Sequence, residues 1–232
     1  MKVFAISDLH ISTNTDKPMD IFGGDWVDYL DKIYEDWNNK VSDDDVVLIG
    51  GDISWAMDIS DAKLDLESIS HLKGKKVLIK GNHDYWWSGI NKVRGILPEN
   101  FYALQNDSVR FDGFVVCGSR LWSVPGSPNF TEQDLKLYNR ERERLILSLK
   151  NAKKLLQEGD KLIALIHFPP FNVQRVDNEY TKLFEEYGVH AVVYGHLHGK
   201  SVRADHKVIK NGITYYLTSC DQVKNQLTEI LL

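Results

Sequence analysis

The chain has 232 residues, of which 43% are hydrophobic and 26% charged, so one large core and one domain over residues 1–232 are expected. A net charge of −5 withholds the broad positive field that nucleic-acid or anionic-membrane binding uses, which points to a small-molecule partner. The two cysteines, Cys117 and Cys220, have no CxxC partner, which argues against a thiolate zinc site or a disulfide framework and for a reducing compartment.

MKVFAISDLH opens with a strand, VFAIS (3–7), and has no long apolar core of a signal peptide, so a cytoplasmic protein is expected. Helical spacing over 25–40 leads to strand VVLIG (46–50), and spacing over 61–72 leads to KVLIK (76–80). After helical spacing at 88–97, SVRFDGFVVCGS reads as an antiparallel pair turning at Asp112-Gly113. WSVPGSPNFT (122–131) reads as a mobile loop. A long helix follows from about 132 to 158, with Thr131 as its cap and Gly159 as its stop. Leu135, Tyr138, Leu145, Leu149, Ala152 and Leu156 form its apolar stripe. Its RERER run at 140–144 reads as a solvated face of Arg–Glu pairs. KLIALIH (161–167) and HAVVYG (190–195) are buried strands flanking helical spacing at 179–188, and NGITYYLTSC is a last, antiparallel strand. The alternation predicts an α/β fold with a mixed sheet or two stacked sheets, covered by helices.

The predicted strands end, one after another, in metal-ligand residue types. Strand one runs into Asp8-Leu9-His10, strand two into Gly50-Gly51-Asp52, and strand three into Gly81-Asn82-His83-Asp84. Later strands end on His167 and on Gly195-His196-Leu197-His198. The crevice beyond the carboxyl ends of such strands is where α/β sheets bind ligands. Residues two apart in an extended segment leave on one side, so Asp8 with His10, and His196 with His198, are expected to face one site. Imidazole, carboxylate and amide donors without thiolate suit two divalent ions drawn from Mn, Fe, Zn, Co and Ni. Seven such donors exceed what one tetrahedral zinc takes and match two ions about 3.5–4 Å apart.

In this order the motifs resemble those of the calcineurin-like metallophosphoesterase superfamily: DxH, GD, GNH followed by an acid, H, then GHxH. The resemblance, from residue 3 to about 220, implies a four-layer α-β-β-α sandwich with mixed sheets and a binuclear site at the C-terminal ends of the strands. It implies that Asp8, His10, Asp52 and His198 hold one metal, and that Asp52 bridges to a second held by Asn82, His167 and His196. His83 is similar to the family's leaving-group histidine, with Asp84 as its orienting partner, making these two the catalytic pair. Two cations would lower the pKa of a bridging water, so that hydroxide attacks phosphorus in line. The arginines that Ser/Thr phosphatases of the superfamily carry after GD and before GNH are missing; Ile53-Ser54-Trp55 and Lys80 stand there. A small bacterial-type phosphohydrolase acting on a phosphate ester or nucleotide is expected. Trp86, Trp87, Arg120 and Trp122 are the candidate substrate contacts, and the absence of an arginine cluster near the motifs slightly favours diesters. The alternatives are a scaffold or protein-binding module that keeps the fold without catalysis, and a nuclease.

Overall fold

Strands buried on both faces build the centre of the molecule, which a computed structural model describes over residues 1–232. One sheet holds β1 (Val3–Ile6), β2 (Val46–Ile49), β3 (Lys75–Ile79) and β4 (Phe101–Leu104), all parallel. The second holds β5 (Ser108–Phe111), β6 (Phe114–Ser119), β7 (Lys161–Ile166), β8 (Ala191–Tyr194), β9 (Lys207–Lys210) and β10 (Ile213–Leu217). In it β6, β7, β8 and β10 are parallel, while β5 and β9 fold back antiparallel at the edges. The antiparallel reading of NGITYYLTSC therefore holds only for its pairing with β9. β11 (Thr228–Ile230) returns to pair antiparallel with β1, so both sheets are mixed.

Alternate residues of each strand face opposite ways. Val3, Ala5, Val46 and Leu48 join Val116, Ile163, Leu165 and Val193 in one cluster, the interface of the two sheets. Phe4, Ile6, Val47 and Ile49 instead share a cluster with Ile33 and Trp37 of α1 (Tyr29–Lys40), Ala62 and Leu66 of α2 (Ile59–Ser68), and Val93 of α3 (Ile90–Arg94). On the far side Val115, Ala164, Val192 and Leu217 pack with Tyr138, Leu145 and Leu149 of α4 (Glu132–Leu155) and with Tyr180 and Phe184 of α5 (Glu179–Glu186). The layer order is α-β-β-α, as expected. β4, β9 and β11 are additions, short segments that the sequence pattern did not mark as strands.

α4 departs from expectation in three places. Thr131 does cap it, in a reciprocal capping box with Asp134, but the helix stops at Leu155 and Leu156 is already extended. Gly159 lies in the turn beyond. Leu135 is 44% exposed and falls off the buried stripe. Within RERER, Glu141 is fully buried rather than solvated, because α4 turns it toward Ser119 and Arg120.

Parallel strands place their carboxyl ends at a common edge. Asp8, Asp52, Asn82, His167 and His196 each follow the last residue of a parallel strand by at most three positions. The isolated bridge Ser7↔Ser219 and the bond from Ser7 N–H to Thr218 O (2.9 Å) tie the two sheets together there.

Leu145 tests the outer layer. Leu145→Ala should lower the unfolding free energy in urea by about 2–5 kcal/mol, the usual cost of emptying a fully buried leucine site.

Candidate metal centre

The backbone at this edge is unusual before any side chain is considered. Asp8, His10, Asp52 and His196 have φ of 59°, 46°, 50° and 69°, a left-handed conformation that non-glycine residues avoid. These segments are therefore not extended, and the expectation that alternation aims Asp8 with His10 and His196 with His198 is corrected. The side chains converge because the chain turns at each of these residues. A short ladder holds the turns: Asp8 N–H to Gly51 O (3.0 Å), His10 N–H to Asp52 O (3.0 Å) and Ile11 N–H to Ile53 O (2.9 Å).

Two motif glycines are required by close approach. A Cβ on Gly81 would lie 2.1 Å from Asp52 Oδ1, and one on Gly195 would lie 2.6 Å from Asp8 Oδ2.

Asp52 sits at the centre. Its Oδ1 accepts the His83 backbone N–H at 2.7 Å, and its Oδ2 lies 3.4 Å from His167 Nε2 and 4.0 Å from His10 Nε2. Asn82 Oδ1 is 2.7 Å from His167 Nε2 and 2.9 Å from His196 Nδ1. Gly50 O, 2.8 Å from His167 Nδ1, fixes that ring from behind. Asp8 accepts the His196 backbone N–H and, at 2.8 Å, the Ser7 hydroxyl. Asp8, His10 and His198 offer donor atoms all within 4.8 Å of one another, and so do Asp8, Asp52 and His167. All seven expected ligands are thus in one place. His71, His190 and His206 belong to neither group.

This cluster fits cations better than it fits itself. Both ring nitrogens of His10 and Asp52 Oδ2 are buried without a hydrogen-bond partner, a costly state that coordination would relieve. Burial pushes His10 and His196 down to about 3, so both are neutral, as ligands must be. Burial also opposes charge on His167, but the Asp52 and Asp8 carboxylates outweigh it and raise His167 to about 9, holding a proton that a bound cation would displace. The donors are oxygen and imidazole only, the set expected for borderline to hard divalent ions.

The surrounding expectations divide. His83 lies inside the centre, its ring 5.8 Å from His10 and 4.8 Å from Trp55, with Nδ1 unpartnered. Asp84 makes no side-chain hydrogen bond to the His83 ring, against its expected orienting role. Its carboxylate accepts Ile53 N–H, Ser54 N–H, Gly81 N–H and Trp86 Nε1–H, bracing one loop against the next. Burial and the Asp52 charge nonetheless push it up to about 6. Trp86 and Trp87 are buried in the core, bonded to Asp84 and Gln105, and are not a stacking wall. Trp122 is half-buried against Phe168 and donates to Asp134, while the Arg120 guanidinium lies 5.0 Å over its ring.

Two side chains support the ligand loops from behind, and sequence reasoning passed over one of them, Asp65. Trp55 stacks on His10 at 4.6 Å, and its position three residues after Asp52 was the available signal. Asp65, from α2, bonds Thr13 N–H and the Ser54 hydroxyl and so braces the loops behind His10 and Asp52; nothing in its local sequence marks it.

Known proteins can be compared with this geometry. The family model described as calcineurin-like phosphoesterase matches residues 1–200. No curated protein matches the chain by sequence. Among solved structures, TT1561 of Thermus thermophilus is similar with a TM-score of 0.61 at 12% identity, over 98% of this chain and 97% of that one. AQ665 of Aquifex aeolicus, described as of unknown function, is similar with a TM-score of 0.51 at 14% identity, over 98% and 95%. At these identities the likeness concerns the fold.

Gly81→Ala tests the close approach at Asp52. The added methyl must displace the Asp52 carboxylate, so divalent-ion binding measured by calorimetry should weaken by at least about tenfold, equivalent to about 1.4 kcal/mol. A protein that folds, as judged by circular dichroism, and binds ions normally would show that the approach is not required.

Proposed function

Because the chain belongs to the calcineurin-like phosphoesterase family, we propose that residues 1–232 form one domain that hydrolyses a phosphate ester with two divalent ions as cofactors. Asp8, His10, Asp52 and His198 would hold one ion; Asp52, Asn82, His167 and His196 would hold the other. The observation that carries this reading is the pair of buried, unpartnered donors, Asp52 Oδ2 and His10 Nε2, facing each other across 4.0 Å. When bound, the ions supply Lewis acidity, neutralising phosphoryl oxygens and bringing the pKa of a water to about 7.

The chain's own residues set the geometry. Gly50 O and Asn82 Oδ1 hold the His167 ring on two sides, and Asp8 is held by Ser7 and by the His196 backbone. His83 provides the proton for the leaving oxygen, with its ring fixed between Trp55 and Tyr85. Its own backbone N–H binds Asp52, so the acid and the central carboxylate move together. Asp84 acts indirectly, by holding the Gly81–Asp84 turn.

The substrate is a small molecule. A cavity of about 370 Å3 adjoins His196, with Val124, Phe168, Phe171, Tyr194 and Leu197 among its lining residues, and offers room for an apolar organic part. The buried thiols of Cys117 and Cys220 suit a cytoplasmic setting. The sequence argument for a diester loses its basis, since basic side chains do gather beside the motifs, and Trp86 and Trp87 are core residues.

Two substitutions separate holding the ions from moving the proton. Asp52→Asn should cut both metal content, by elemental analysis, and turnover of p-nitrophenyl phosphate. His83→Ala should keep both ions and lower kcat by about 10²–10⁴, the span of general acid catalysis. Loss of metal in His83→Ala would make His83 a ligand instead.

A further inference from the structure

A second polar cavity, about 230 Å3, opens on the other side of the motifs, between β3, β6 and α4. Lys80, Arg120, Arg140 and Arg144 line it together with Gln105 and Asn106. Only one carboxylate among the lining residues answers these four cations, that of Glu141. Its Oε1 lies 2.6 Å from Arg144, 3.6 Å from Arg120 and 3.9 Å from Arg140, while Oε2 accepts the Ser119 hydroxyl. Glu141 is fully buried and gathers the arginines without neutralising them. The Arg140 and Arg144 side chains remain 53% and 40% exposed, free to meet a ligand. In a chain of net charge −5, such a local excess of positive charge marks an anion site.

The cavity is joined to the candidate metal centre through the backbone. Lys80 immediately precedes Gly81, and its Nζ binds Trp87 O at 2.9 Å, across the Gly81–Asp84 turn. Arg120 O accepts the N–H groups of both His167 and Phe168. The Asp52 carboxylate also acts on the Arg120 guanidinium, so the cations of the cavity are within electrostatic reach of the centre. Arginine forks are suited to phosphoryl oxygens, and Gln105 and Asn106 add neutral polar groups.

We propose that the Lys80–Arg120–Arg140–Arg144 cavity is a subsite for a second phosphoryl group, so that the preferred substrates carry two phosphoryl groups on one small molecule. This rests on the phosphoester reading above. The reaction itself is simple hydrolysis: water supplies the new oxygen on phosphorus, the scissile P–O bond breaks, and its leaving oxygen takes a proton. The second phosphoryl group is retained in the subsite until the product leaves.

The test compares p-nitrophenyl phosphate, a nucleoside diphosphate and a sugar bisphosphate as substrates of the metal-loaded protein, with Arg140→Ala and Arg144→Ala. The wild type should prefer at least one of the two-phosphoryl substrates by about tenfold in kcat/KM, and each variant should erase most of that preference through KM. Which of the two is preferred tells whether the groups are linked directly or through a carbon framework. No preference, equal losses on p-nitrophenyl phosphate, or faster cleavage of a single-stranded oligonucleotide would overturn the proposal. Calorimetry with inorganic pyrophosphate on chelator-treated protein provides a readout independent of turnover. Binding should weaken about tenfold in each variant and fall steeply with added salt, whereas identical binding in wild type and variants overturns the subsite. If pyrophosphate binding responds to the variants but no ester is hydrolysed, the phosphoesterase reading fails and the anion site stands.

Discussion

The structure turns on keeping one carboxylate, Asp52, fully buried with an oxygen unpartnered. A buried anion of that kind is expensive unless a cation faces it, and the fold meets it with the protonated His167 ring or with ions that would take that proton's place. Only Oδ1 is committed to the protein, through the His83 N–H. The left-handed backbone at Asp52, the bare Cα of Gly81 and the carbonyl of Gly50 behind His167 all serve to hold that arrangement. Relaxing any of them would let the carboxylate find a hydrogen bond and lose its reach toward the ions.

The two sheets divide the labour. The first contributes Asp8, His10, Asp52 and Asn82 from successive parallel strands; the second contributes His167, His196 and His198. Neither set is complete alone. The apolar layer between the sheets sets their separation and hence the distance from Asp52 to His167. Core packing is thereby a determinant of site geometry, although none of its residues is polar apart from the Tyr216 hydroxyl.

Much of this was legible in the sequence because burial leaves a pattern. Five strands rich in Val, Ile and Leu, each ending in a Gly, Asp, Asn or His, announced the sheets and gathered the candidate ligands. β4 and β11 were not legible, since Phe101–Leu104 and Thr228–Ile230 depend on neighbours far along the chain. Side-chain direction was the weaker inference. Trp86 and Trp87 follow a site motif but turn inward, because Asp84 and Gln105 accept their indole N–H groups. Glu141 looked like one charge among five, and only α4's contact with β6 buries it and makes the neighbouring arginines a cluster. Adjacency in sequence does not reveal which way a ring or a carboxylate faces.

The tie between Ser7–Asp8 and residues 218–220 has a consequence for the order of assembly. Cys220 N–H binds Ser7 O, Cys220 Sγ donates to Asp8 O, and β11 lines up beside β1. The loop bearing Asp8 and His10 leaves the ribosome well ahead of these braces. Contacts closing more than two hundred positions are entropically late events in folding. The nascent chain therefore carries those two candidate ligands unbraced until residues 218–220 have followed, and ion capture would belong to the assembled fold. Selection of a metal would then rest with the folded cage rather than with whichever ion first meets an exposed histidine.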